Sequence, residues 1–179
     1  IYDPPAGFLG TANHRTVSPS NGLILSSTWY APERSERITE ILNLDNQHTW
    51  QSSVAMQNDR YDPFTKKLQQ ILFESPFADD IQNAISSWTD DRKIADVREA
   101  LEILKNFDGV MAPDSKDAAV FGVFQNVFIE QVFLDELGPE ESAAWISFKS
   151  TMQGFYGADQ DHMLGREDSP FWDNMTTPE

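Results

Sequence analysis

With 29 Asp and Glu against 13 Lys and Arg in 179 residues, the chain carries a net charge of −16, which argues against nucleic acid and anionic membrane as partners, because both need a cationic face. The length suits one domain with a core that buries about 70% of the unfolded chain's surface. Cysteine is absent, so disulfides and thiolate metal ligands are excluded, and no apolar run approaches the about 18 residues of a membrane-spanning helix.

Ile1-Tyr2-Asp3-Pro4-Pro5 opens without Met and without a charged-then-apolar leader, so the chain is expected to be an excised piece of a longer protein. Phe8 to Ala12 is a short apolar run bounded by Pro4, Pro5 and Gly7 and then by polar residues. That pattern predicts a strand feeding a loop, with Asn13 at its end. A side-chain amide at a strand terminus can donate to an anion forming on a substrate; it can equally cap a turn, and residue type alone favours the turn. Thr16 to Tyr30 reads as a Pro/Ser/Asn/Gly loop followed by a brief extended segment.

Helical spacing then takes over. Ile38, Ile41 and Leu42, behind Pro32 and with acids near the front, predict a first helix over 33–42, in which Arg34 and Arg37 share a face. Thr49 caps a second helix over 50–57. Asp62-Pro63 opens a third, carried by Phe64, Leu68, Ile71 and Leu72 and ended by Pro76. Asp79 or Asp80 caps a fourth, with Ile81, Ala84, Ile85 and Trp88 on one face, and Thr89 to Lys93 reads as a solvated break. Val97, Ala100, Leu101, Leu104 and Phe107 predict a fifth helix over 96–107, closed by Asp108-Gly109. The run from Ala118 to Leu137 is apolar on nearly all sides, which predicts a helix buried in the middle of the domain. After Gly138-Pro139, a last helix turns Ala144, Trp145, Phe148 and Met152 inward. The fold class is therefore mainly α, a helical bundle domain (31–179) behind a short extended segment (1–30). Twelve Phe and five Trp exceed what a small helical domain needs for itself and point to a further partner surface.

Most chemistry-bearing side chains have a plainer reading. Asp159, Asp161 and His162 do not complete a calcium loop, since Leu164 and Pro170 stand where Gly and Glu are required. His14, His48 and His162 share no zinc spacing. Asp62 is explained as a helix cap and Asp59 by solvent exposure rather than as an acid–base pair. No phosphate loop, nucleophile elbow or dinucleotide fingerprint is present, and no cofactor or metal site is expected in this chain. Arg37 by itself reads as half of an ion pair.

Four ordered motifs change the weighting of Asn13. Asp3-Pro4-Pro5-Ala6-Gly7-Phe8-Leu9-Gly10-Thr11-Ala12-Asn13-His14, Arg34-Ser35-Glu36-Arg37-Ile38, Phe107-Asp108-Gly109 and Ser169-Pro170-Phe171-Trp172-Asp173 resemble, in order and spacing along the whole chain, the penicillin acylase (penicillin amidase) family. His14 stands where a second Asn is common and Phe107 where Trp is usual. The resemblance implies an N-terminal nucleophile hydrolase, in which a serine exposed by self-cleavage attacks the amide and its own α-amine, with a pKa of about 7.7–8.0, serves as base. It implies Asn13 as the side-chain donor of the oxyanion hole and Arg37 as the active-site arginine that orients the asparagine and the nucleophile's amine. Arg34 also matches a family position, with no catalytic role assigned.

Ser20-Asn21-Gly22-Leu23 is the nearest match to the family's Ser-Asn start and lacks the Trp that usually follows, so the nucleophile is expected upstream. The resemblance then makes this chain part of the large chain, one strand end of an αββα core plus most of a helical domain, inactive alone. Its partners would be the small chain, the nucleophile-bearing part and a small-molecule acyl amide (a β-lactam, an acyl-homoserine lactone or similar), in the periplasm or secreted. The rival class is a non-enzymatic helical interaction module with Asn13 as a turn residue; a cation-binding protein ranks last because no ligand template closes.

Overall fold

The computed structural model describes residues 3–23, 25–26, 29–30, 32–44, 47–74, 77–139 and 141–151, with the side chains of 19, 77, 129, 132–136 and 148–151 outside the description. Among these residues the helices are α1 (Glu33–Leu44), α2 (Trp50–Gln57), α3 (Phe64–Glu74), α4 (Phe77–Ser86), α5 (Asp91–Asn106), α6 (Lys116–Leu137) and α7 (Ala143–Thr151). The chain is mainly helical, as its periodicity predicts. Pro76, Met152, the Asp159 to His162 cluster and the Ser169 to Asp173 motif lie outside the described residues, as does the side chain of Phe148.

Side chains that accept from otherwise orphaned N–H groups set most of the helix starts. Thr49 Oγ1 accepts from Ser52 N at 3.2 Å while Ser52 Oγ accepts from Thr49 N at 2.8 Å, a reciprocal box at the head of α2. Asp62 Oδ1 accepts from Phe64 N at 3.0 Å as α3 opens, and Ser142 Oγ accepts from Trp145 N at 3.2 Å as α7 opens. Two starts differ from expectation. Asp90 Oδ1 accepts from Arg92 N and Lys93 N, both at 3.1 Å, so the polar run read as a break is a cap and first turn, and α5 begins at Asp91 instead of Asp96. Helix α4 begins at Phe77, which puts Asp79 and Asp80 inside its first turn instead of at its cap, where they still face the positive helix end.

The expected strand from Phe8 to Ala12 is irregular backbone, and so are the described residues of 23–30. A strand needs a neighbour to complete its ladder; among the described residues the β pairing is one antiparallel bridge, Tyr61 with Val110.

The chain divides into two compact units, Ile1–Asp59 with Val132–Glu179, and Arg60–Gln131. In the second, Phe64, Leu68, Leu72, Leu104, Phe107 and Phe121 are buried, each contributing about 1.5–3 kcal/mol of transfer free energy. Phe121 stands at the centre, its ring centroid 5.1 Å from Phe107 and 6.5 Å from Phe64. Gln69 Nε2 donates to the carbonyls of Leu104 and Phe107 at 2.9 Å and of Lys105 at 3.2 Å, satisfying the open end of α5. Gly109 follows with φ +84°, where a Cβ would stand 2.6 Å from the Tyr61 ring, so only glycine closes this turn without displacing Tyr61. Helix α6 is not buried all round: Phe121 is 1% exposed but Val123 is 63% exposed, so its outer side is apolar without being covered. In the first unit Ala12 and Trp145 are buried, whereas α2 buries nothing and leaves Trp50 73% exposed.

Candidate active site at Asn13

Asn13 ends the irregular N-terminal segment with φ +61°, a left-handed conformation that Asn adopts more readily than most residues. Its carbonyl accepts from Tyr30 N at 3.0 Å, and the preceding Ala12 is buried. The backbone of the turn is thus tied down while the side chain stays exposed. Asn13 Oδ1 accepts from Arg34 Nη2 at 2.7 Å, and His14 Nδ1 accepts from Ala12 N at 3.4 Å.

The path of the segment explains why Arg34 is the partner. A Cβ on Gly10 would lie 3.8 Å from Ile38 Cγ2, and residues 34 and 38 are one helical turn apart on α1. The stretch 10–13 therefore runs along that face and meets Arg34 at its end. Arg37 projects about 60° from Arg34 around the helix, on the side away from Ile38.

Arg37 engages carboxylates. Its Nε donates to Asp59 Oδ2 at 2.8 Å and its Nη2 to Asp59 Oδ1 at 3.1 Å, while Nη1 donates to Glu40 Oε2 at 2.8 Å. The paired bonds to Asp59 match the fork of a guanidinium to a carboxylate. Asp59 first, then Glu40, raise the Arg37 pKa above its ordinary value, so the cation is permanent. The structure thus joins Asn13 to Arg34, and Arg37 to Asp59 and Glu40. Asp59, read from sequence as merely solvated, anchors Arg37; Asp62 is the helix cap it was expected to be.

Sequence reasoning noted Arg34 as a family position without giving it a role and explained Asp59 by solvent exposure, so neither was expected to hold Asn13 or Arg37. The relation of Arg34 to Ile38 is visible in the sequence, but it becomes a signal only when the N-terminal segment is laid along that face. Asp59, 22 positions from Arg37, carries no local signal.

A guanidinium has donors and no acceptor, so the amide edge facing Arg34 is the oxygen and Nδ2 turns away from it. Among the described residues Nδ2 makes no hydrogen bond. The result is an exposed, oriented pair of N–H groups at the end of a tied turn, suited to receive an anion. Among the described residues no group of three or more His, Cys, Asp or Glu is placed to hold a metal ion, and no helix is long and apolar enough to cross a membrane.

Asn13 with its oriented amide, the arginines of α1 and the Phe107-Asp108-Gly109 turn at the end of α5 coincide with membership of one hydrolase family. The family model described as penicillin amidase matches residues 1–179, and the chain belongs to the penicillin amidase family. Similar proteins include those named acyl-homoserine lactone acylase QuiP from Pseudomonas aeruginosa, 44% identical over 177 residues, Pseudomonas fluorescens, 43% over 178, and Pseudomonas putida, 41% over 178. Each match covers 99% of this chain and 21% or 22% of the relative. The chain therefore spans about a fifth of the length of these relatives. No solved structure matches it significantly.

Proposed function

We propose that the chain is the section of a penicillin-amidase-type hydrolase that supplies the side-chain donor of the oxyanion hole, Asn13, and a fixed active-site cation, Arg37. The carrying observation is the exposed Asn13 amide with its N–H groups turned outward. The substrate is a small molecule with an N-acyl amide bond; similarity to proteins named acyl-homoserine lactone acylases favours an acyl-homoserine lactone over a β-lactam.

The chemistry is acyl transfer. A serine hydroxyl from a part of the protein outside this chain attacks the amide carbonyl carbon, its proton passes to the serine's own α-amine, and the carbonyl π pair moves onto oxygen. Asn13 Nδ2 donates to that oxyanion, a bond stronger in the transition state than to the neutral carbonyl. Collapse of the intermediate expels the amine, which takes the proton back, and water then cleaves the acyl ester. Arg37, held in one place by Asp59 and Glu40, orients the nucleophile's α-amine; the two carboxylates balance its charge, so its part is placement of the amine rather than a shift of its pKa. No cofactor held by this chain enters these steps.

Residues 1–30 belong, on the same proposal, to the αββα core, and the partners are the small chain and the rest of the large chain. The exposed Trp50, Leu44 and Leu25 support a covering surface in the parent protein. Export to the periplasm or beyond completes the proposal. The test is Asn13→Ala in the full-length protein. Release of homoserine lactone should show kcat lowered by about 10²–10³ with KM nearly unchanged; a wild-type kcat overturns the assignment.

A further inference from the structure

We propose that Arg34 is a positioning residue for the oxyanion donor, its guanidinium fixing which edge of the Asn13 amide faces the substrate. This rests on Asn13 being that donor. The two ends of a side-chain amide are nearly the same size, so sterics alone do not decide whether oxygen or NH₂ faces outward, yet the choice decides the sign of the interaction. Outward NH₂ stabilises a developing oxyanion and outward oxygen repels it. Arg34 Nη2, 2.7 Å from Oδ1, settles the choice, because a guanidinium offers donors alone.

The partner that Arg34 takes is itself informative. The chain carries 29 acidic residues, and Glu33 and Glu36 stand beside Arg34 in the first turn of α1. Nevertheless, among the described residues the polar partner of Arg34 is the neutral amide of Asn13, whereas Arg37, one turn on, takes two carboxylates. Among the described residues, then, no carboxylate forms an ion pair with the Arg34 guanidinium. A charged donor on Oδ1 draws electron density through the amide and makes its N–H groups better donors. The left-handed turn of Asn13 and its carbonyl bond from Tyr30 N, with Gly10 passing close enough to α1 that a Cβ on it would lie 3.8 Å from Ile38 Cγ2, hold the residue within reach of Arg34.

The experiment compares Arg34→Met, Arg34→Lys, Asn13→Ala and the Asn13→Ala/Arg34→Met double variant in the full-length protein. The substrate is whichever of an N-acyl-homoserine lactone and an acyl β-lactam turns over faster, and thermal melts are recorded alongside. Arg34→Met should lower kcat by about 10- to 100-fold, as expected when a reacting group loses its alignment, with KM and melting temperature little changed. Arg34→Lys, which restores one charged donor, should recover part of that loss. In the Asn13→Ala background the Arg34→Met change should alter kcat less than about twofold, because its route of action has gone. A loss from Arg34→Met that persists undiminished without Asn13 overturns the proposal, and so does an unimpaired Arg34→Met beside a damaged Asn13→Ala. Should Arg34→Met fail to fold, Arg34→Lys at the level of Asn13→Ala supports an alignment that one donor cannot replace, and Arg34→Lys at wild-type kcat overturns the requirement for the guanidinium. An Asn13→Ala protein with wild-type kcat removes the oxyanion role itself, a separate and recognisable failure.

Discussion

Asp62 shows a side chain used for structure against its own electrostatics. Its carboxylate accepts from Phe64 N, which favours ionisation, but burial outweighs that bond and raises its pKa above the ordinary 3.8. With the folded value above the unfolded one, native protein binds the proton more tightly, so the contribution to stability is full at pH below the unfolded value and is lost as pH rises through the folded value. Asn at this position keeps an acceptor for the cap without the charge. The stability of Asp62→Asn relative to wild type, from urea midpoints, is expected to grow as pH rises from below the unfolded carboxyl value through the raised folded value; a pH-independent difference contradicts the burial explanation. Asp62 as a cap was legible because the bond is local, two residues along the chain. The orientation of Asn13 was not, because it depends on Arg34, 21 positions away. Residue type alone favours a turn at Asn13 and the family motif is what suggests a donor there, whereas tertiary placement decides which edge of the amide faces Arg34.

At the level of elements, the same division between local and non-local physics holds. Helices α1, α2 and α3 follow from apolar spacing and caps within a few residues, and their observed bounds agree closely with it. Helix α5 starts early because Thr89 to Lys93 has the composition of a loop, and only the bonds from Arg92 N and Lys93 N to Asp90 distinguish a cap from a break. The N-terminal strand fails for the opposite reason: its pattern is strand-like, but pairing requires a partner strand that is not among the described residues. Helix α6 marks the limit of amphipathicity as a guide. Apolar residues all round imply burial all round, yet Val123 and Val127 are exposed. In such a helix the pattern no longer indicates which side packs.

For the molecule as a whole, the chain spans about a fifth of its relatives, and its proposed chemistry needs a nucleophile and a base as well as an oxyanion donor. The purified 179-residue chain is accordingly expected to hydrolyse no acyl amide; turnover unaffected by changing Asn13 would contradict that. The division of labour also indicates where to look for the donor's energy. A group that acts on the oxyanion contributes to binding of the tetrahedral state and little to binding of the substrate. The inhibition constant of a substrate-like boronate, which forms a tetrahedral anion on the nucleophile, is therefore the most direct measurement, made on full-length wild type and Asn13→Ala. The expected result is an inhibition constant weakened by about 10²–10³ while KM stays within about twofold; equal inhibition constants for the two proteins would contradict Asn13 as the oxyanion donor.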